Sequence, residues 1–274
     1  MRKKGDKMQP LTKLLHFGYQ QALSSLFPVI IFLTLAGTKA IQVPGLPRYD
    51  LILLVCVMAQ IIMVKTGLET KDELKVITLF HIFGLVLELY KVHMGSWAYP
   101  DFAYSKIAGV PLYSGFMYAS VASYMVQAWR RLDLMIVRWP HAYWTIPLGA
   151  LIYINFFSHH FVYDIRWVLT GALFVIFLRT MVYFTVDHER FKMPLTLSFF
   201  LIGFFIWIAE NISTLLDGYR YPNQGDTWEL VHIGKISSWF LLVVVSFIIV
   251  AQLKRVKGEG FANQPVPHAK DRNM

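Results

Sequence analysis

Residues 74–95 read LKVITLFHIFGLVLELYKVHMG. An apolar run of about 20 residues is long enough to cross a bilayer core of about 30 Å as a helix. This one also carries His81, Glu88, Lys91 and His93 among its Leu, Val, Ile and Phe residues. Ionisable side chains inside such a run are costly, and by default they mark a site.

Blocks of the same kind recur along the chain. We read eight, at about 22–43, 50–68, 74–94, 108–128, 142–160, 165–184, 193–213 and 231–253. The 274 residues are 56% hydrophobic and 16% charged, with mean hydropathy +0.47. A soluble domain carries about 25% charged residues, so the chain is expected to be an all-α, polytopic transmembrane bundle of about eight spans. Its connections are short, which makes consecutive helices antiparallel neighbours. One membrane domain, 22–255, is expected between a cytoplasmic tail over 1–21 and a disordered cytoplasmic tail over 256–274. No cleaved signal peptide is read at the start, and the first span is expected to stay in place.

The net charge of +9 is therefore not taken as a nucleic-acid signal. Assigned to alternate connections, eighteen Lys and Arg fall on the side of both termini and four on the other, with four more inside spans. By the positive-inside rule both termini face the cytoplasm. A multi-pass protein of the cell (inner) membrane follows, with membrane lipid as its partner. The single cysteine, Cys56, rules out an intrachain disulfide and reads as a packed thiol.

On that topology the polar chemistry collects at the outer ends of the spans. Glu88 lies about 21 Å along the third span and Glu210 about 25 Å along the seventh. Asn155, His159 and His160 close the fifth span, with Asp164 and Arg166 directly after it. Asn211 follows Glu210, and His232 and Lys235 open the eighth span. Carboxylates have short reach, so Glu88 and Glu210 are expected to face the bundle interior, paired with Lys, His or Asn; the alternative is an ion pair that only locks helices. His81 reads as a packing residue, and Lys39 and Arg179 as snorkelling cations.

As a catalytic set we take Glu88, His159, His160, Glu210 and Asn211. His93, Trp97, Tyr99, Asp164 and Lys235 are candidates to contact substrate. A divalent metal on His93, His159, His160 and Asp164 is a further possibility, since His160 and Asp164 have i, i+4 spacing. No tight ligand motif such as H-E-x-x-H is present, and no cofactor is otherwise implied.

The sequence also echoes itself. Glu88 is followed by Tyr99 and Pro100, and Glu210, 122 positions later, by Tyr221 and Pro222 at the same offsets. Gly95 and Gly218 lie between, one position out of register. Two parallel four-span halves would produce this, and membrane proteins often place sites where such halves meet. Trp97, Tyr99, Tyr104, Tyr219, Tyr221 and Trp228 crowd the outer loops and read mostly as an interfacial aromatic belt.

The strings KVHMGSWAYPD, GVPLYSGFMYASVASY, IYINFFSHHFVYDIRW, FFIWIAENIST and KISSWFLLVVVSF resemble the bacterial integral membrane proteins of the YoaT type. That resemblance runs from about residue 20 to 255 and implies a helical membrane fold, with no activity attached. A fainter likeness is to hydratase-type membrane enzymes of carotenoid biosynthesis, carried by Glu88, Gly95, Tyr99, Pro100, Gly109, Val110 and Pro111. Three functions are weighed: an enzyme acting on a lipid or isoprenoid through a Glu/His pocket near the outer face, a small-solute or proton-coupled transporter, and a structural scaffold. A polar inner half would favour the transporter, and spans five and seven begin apolar.

Overall fold

A computed structural model describes residues 10–225 and 227–262. The helices are α1 (Pro10–Ser24), α2 (Leu26–Ala40), α3 (Arg48–Lys65), α4 (Lys71–His93), α5 (Tyr113–Arg131), α6 (Ala142–Ser158), α7 (Arg166–Phe177), α8 (Leu195–Leu215) and α9 (Lys235–Val256). Each of the eight apolar blocks carries one helix, α2 to α9.

Eight full spans are not supported. Among the described residues three helices, α4, α8 and α9, are long and apolar enough to cross a membrane. A fourth span arises if α1 and α2, bent by 68° at their junction, count as one. The reasons are local. The 12 residues of α7 make only about 18 Å of helix. Arg48, Asp50 and Lys65 put three charges into α3. In α6, Pro147 interrupts a 17-residue helix, where a missing N–H weakens the ladder.

The all-α expectation is also corrected. Strands β3 (Met135–Val137), β4 (Met181–Val186), β5 (Glu189–Pro194) and β6 (Phe261–Ala262) form one sheet in the order β5-β4-β3-β6. A small hairpin pairs β1 (Lys106–Ile107) with β2 (Val110–Pro111). The sixth block therefore ends as helix at Phe177 and continues as strand. Val182, Tyr183, Phe184 and Thr185 are β-branched or aromatic, which suits a pleated surface. Asp187 and His188, with φ of 48° and 64°, supply the two left-handed residues that a tight hairpin needs. β3 pairs antiparallel with β4 and parallel with β6.

The sheet gathers at one end of the helical body, below called the sheet end. The long connections after α4 and α8 meet at the opposite, loop end. Residues 10–21 are not a free tail, since α1 packs against α5 and β4. The stretch after α9 reaches the sheet through β6, and the disorder expected at 263–274, like the basic start at 1–9, lies outside the described residues. The core runs through the body, with Phe27, Tyr49, Cys56, Tyr113, Phe177 and Phe199 at 1% exposure or less.

Candidate functional site

Two glutamates organise the loop end. Glu88, in the last third of α4, is 3% exposed, and Glu210, near the end of α8, is 4% exposed. Trp97 Nε1 and Tyr99 Oη donate to Glu88 Oε2 at 2.7 and 2.8 Å, and Tyr118 Oη donates to Oε1 at 2.8 Å. Glu210 repeats the arrangement. Tyr219 Oη donates to its Oε1 at 3.3 Å, Tyr221 Oη donates to the same oxygen, and Trp239 Nε1 donates to Oε2 at 2.6 Å. Each carboxylate thus takes donors nine and eleven positions onward from its own loop, and a third from the next helix. Three donors per carboxylate satisfy a group that would otherwise be costly to bury.

The two units share a register. α5 begins at Tyr113 and α9 at Lys235, 122 positions apart. The left-handed residue that ends α4 is Gly95, with φ of 68°, and its counterpart after α8 is Asp217, with φ of 55°, also 122 apart. Gly218 is therefore not the equivalent of Gly95. Close helix contacts back each unit. A Cβ on Gly84 would strike the Tyr118 ring, and one on Gly203 would lie 2.9 Å from the Phe240 backbone nitrogen.

The loops then cross. Ala98 and Arg220 pair in an antiparallel bridge, and Trp97 packs against Tyr219 and Tyr221 with ring centroids 6.3 and 6.0 Å apart. Tyr99, Tyr219 and Tyr221 are at most 9% exposed, so they are core donors and not an interfacial belt. Tyr104, 76% exposed, and Trp228, 42% exposed, do lie outside. Burial, and then the adjacent carboxylate, pushes the Tyr99, Tyr219 and Tyr221 phenols well above their ordinary pKa. They remain protonated donors at any physiological pH.

The expected pairing of these glutamates with Lys, His or Asn is not what the side chains make. Asn211 donates to the Trp207 carbonyl at 2.8 Å and accepts from the Val231 N–H at 2.9 Å. It staples the loop to its helix. His81 packs on Phe116, with ring centroids 4.5 Å apart. Lys39 does not snorkel: it bridges to Asp217 at 2.7 Å and donates to the Leu215 carbonyl at 2.8 Å.

The histidines gather around a lysine instead. Lys91, in the last turn of α4, is 5% exposed. Its Nζ lies 3.1 Å from His160 Nε2 and 3.4 Å from His159 Nε2. His159 Nδ1 is 3.0 Å from the Asn155 carbonyl. A carbonyl only accepts, so Nδ1 holds the proton and Nε2 turns a lone pair to the ammonium. Burial, then the Lys91 charge, holds both imidazoles below their usual pKa. Asp164 accepts from Asn155 Nδ2 at 3.0 Å and from Arg166 Nε at 2.5 Å, and Arg166 also reaches Ser238 at 3.1 Å. Burial opposes ionisation of Asp164, but the Asn155 and Arg166 hydrogen bonds outweigh it and keep its carboxyl below the usual range. Lys235 lies over the Tyr221 and Trp97 rings, 4.7 and 5.8 Å from their centroids, and so joins this cluster to the glutamate centre.

The candidate metal set does not assemble. His93 is exposed, and among the described residues no three His, Cys, Asp or Glu side chains are placed to hold a metal ion. The catalytic candidates divide into sealed glutamates and a separate imidazole–ammonium cluster, with no carboxyl–imidazole hydrogen bond between them.

A buried polar group at the sheet end was missed. Glu69 and Glu73 are 1% and 2% exposed. Gln60 and Ser123 donate to Glu69, and Arg130 and Lys254 lie 3.2 and 3.6 Å from Glu73. The signal was the capping box Thr70-x-x-Glu73, whose Glu73 Oε2 accepts from the Thr70 N–H at 2.9 Å.

A family model described as a protein of unknown function (DUF817) matches residues 13–247. The chain belongs to this family. It is similar to the uncharacterized protein YoaT of Bacillus subtilis (strain 168), 62% identical over 250 residues, which cover 91% of this chain and 95% of that relative. The family therefore includes the proteins whose strings the chain resembles. The hydratase likeness gains no support. A cross-linked MvINS trimer of known structure covers 68% of this chain, and the match covers 97% of that one, with a TM-score of 0.48 and 14% identity.

Proposed function

We propose that the protein works in a bilayer and acts at its loop end on a membrane-soluble substrate of the lipid or isoprenoid class. Large apolar side chains on the outer surfaces of the helices support the membrane setting. Ile61 and Ile62 on α3, Ile82 and Val86 on α4, Ile154 on α6, Val175 on α7 and Phe205 on α8 are all 47% exposed or more. A contiguous apolar exterior is a liability in water and ordinary in lipid. In this reading the sheet end, with Arg130, Arg131, Arg190 and Lys192, faces the cytoplasm and the loop end faces outward.

The observation that carries the functional reading is the imidazole pair set against the buried Lys91, with ring nitrogens 3.1 and 3.4 Å from its ammonium. Lys91 is placed to hold developing negative charge, and the exposed His160, whose Nε2 faces that ammonium, to hydrogen-bond the substrate through its other ring nitrogen. The glutamates, each sealed by three donors, hold the two loops around that site. The test is lipid profiling by mass spectrometry in a deletion strain complemented with the native or the His160→Ala chain. A profile restored by the native chain but not by the variant is expected. Identical profiles in the deletion and native strains would overturn the reading.

A proton-coupled transporter is the second reading, and one observation favours it. The buried Glu69, Glu73, Gln60 and Ser123 put polar groups in the inner half, which span sequences five and seven had suggested was apolar. Proton flux in proteoliposomes, lost in Glu69→Gln, is its test.

A further inference from the structure

We propose that Lys91, Lys235, His159 and His160 form a receptor for a phosphate-type anion. The inference rests on the loop end being the working site, and it names the charged group of what binds there. Lys91 is 95% buried, yet among the described residues neither it nor Lys235 has a carboxylate within 4.0 Å. The polar atoms against Lys91 are imidazole nitrogens at 3.1 and 3.4 Å. Lys235 faces aromatic rings at 4.7 and 5.8 Å.

The carboxylates nearby are already committed. Asp164 is held by Arg166 and Asn155. Glu88 and Glu210 each accept three aromatic donors, and Glu210 acts on Lys235 only at longer range. A buried ammonium without a counter-ion is costly, and Lys91 with the half-buried Lys235 beside Arg166 leaves a net positive site. The exposed His160 forms its open side.

A phosphate monoester carries a charge of about −1.5 to −2 at neutral pH and three strong acceptor oxygens. The two ammonium groups and the second ring nitrogen of His160 are the donors that answer these oxygens, while His159, whose Nδ1–H is on the Asn155 carbonyl, holds Lys91 in place. A lipid headgroup and free phosphate share this chemistry.

The test uses the full chain in neutral detergent and in nanodiscs. Thermal midpoints are measured with sodium phosphate against sodium chloride at equal ionic strength, and in nanodiscs with phosphatidic acid against phosphatidylcholine alone. A phosphate-specific rise is expected, with apparent affinity at least tenfold weaker in Lys91→Met and in Lys235→Met. Lys39→Met, already paired with Asp217, should match the native chain. If Lys91→Met does not fold, the exposed His160→Gln serves, with weaker binding expected. A response to both probes, or to phosphatidic acid alone, supports the site and identifies the source of the group. No response beyond chloride and phosphatidylcholine, or a response untouched by both lysine variants, overturns it. Phosphate binding with an unaltered lipid profile would instead keep the receptor and discard the lipid-acting function.

Discussion

Ala98 and Arg220 exchange both backbone hydrogen bonds, each N–H meeting the other's carbonyl at 2.9 Å. Each residue stands ten positions after a buried glutamate, between the two loop donors that the glutamate accepts. The bridge therefore joins equivalent points of two similar units, and the donors of one carboxylate pack against those of the other.

This arrangement makes Glu88→Ala worse than Glu88→Gln. Alanine leaves the Trp97, Tyr99 and Tyr118 donors unpaired in the core, at about 1–3 kcal/mol for each. Glutamine keeps the shape and one accepting oxygen. Urea or thermal unfolding in detergent should rank native above Gln above Ala, with the same order at Glu210. Equal stability of all three at either position would show that the donors are not held by the carboxylate.

Glycine contacts predict a second ranking. Gly84→Ala drives a methyl into the Tyr118 ring, and Gly203→Ala drives one toward the Phe240 backbone. Overpacking costs about 1–3 kcal/mol. The Gly84 change should be the more damaging, because the new methyl would lie 2.5 Å from Tyr118 Cβ, which no rotation of that side chain moves, against 2.9 Å from the Phe240 nitrogen at Gly203. At Gly171 nothing lies within 4 Å of a new Cβ, so Gly171→Ala in α7 should raise the thermal midpoint slightly.

Arg48 predicts a chemical non-equivalence. Its guanidinium donates to Thr38 at 3.2 Å, to the Leu35 carbonyl at 3.1 Å and to the Asp217 carbonyl at 2.9 Å, and also to the Leu216 carbonyl. Lysine has three donors and no fork. Arg48→Lys should cost about 1–3 kcal/mol for each carbonyl left without a partner, read as a lower midpoint with the charge unchanged.

The imidazole pair gives stability a pH dependence. His159 and His160 have folded pKa values below the unfolded value of about 6.5. Their contribution is complete above that value. It is lost as pH falls through the folded values, because the unfolded chain takes up protons first. Thermal midpoints recorded from pH 7.5 down to 5 should fall, and the slope should flatten in a His159→Gln, His160→Gln double variant.

Much of this was legible in the sequence because hydrophobic blocks and helices coincide: each block holds one of α2 to α9. Polar groups at Glu88, Glu210, Lys91 and Lys235 were legible for the same reason, since charge stands out against Leu and Phe. The partner of each was not. Trp97 and Tyr219 look like belt residues until their loops fold inward, and Tyr118 and Trp239 lie 30 and 29 positions from the glutamates they serve. The sheet was hidden because Val182–Thr185 is as apolar as a span end, and hydropathy does not distinguish strand from helix over so short a run. Glu69 and Glu73 were hidden because a capping box usually marks a solvated helix start.

β6 pairs in parallel with β3, so the end of the last long helix returns to a strand formed near the middle of the chain. Ribosomal synthesis delivers residues 261–262 only after α1 to α9 have emerged. The sheet is then the closing event of biogenesis, and a nascent chain stalled before Phe261 would carry β3 with one edge uncovered, open to pairing with another chain.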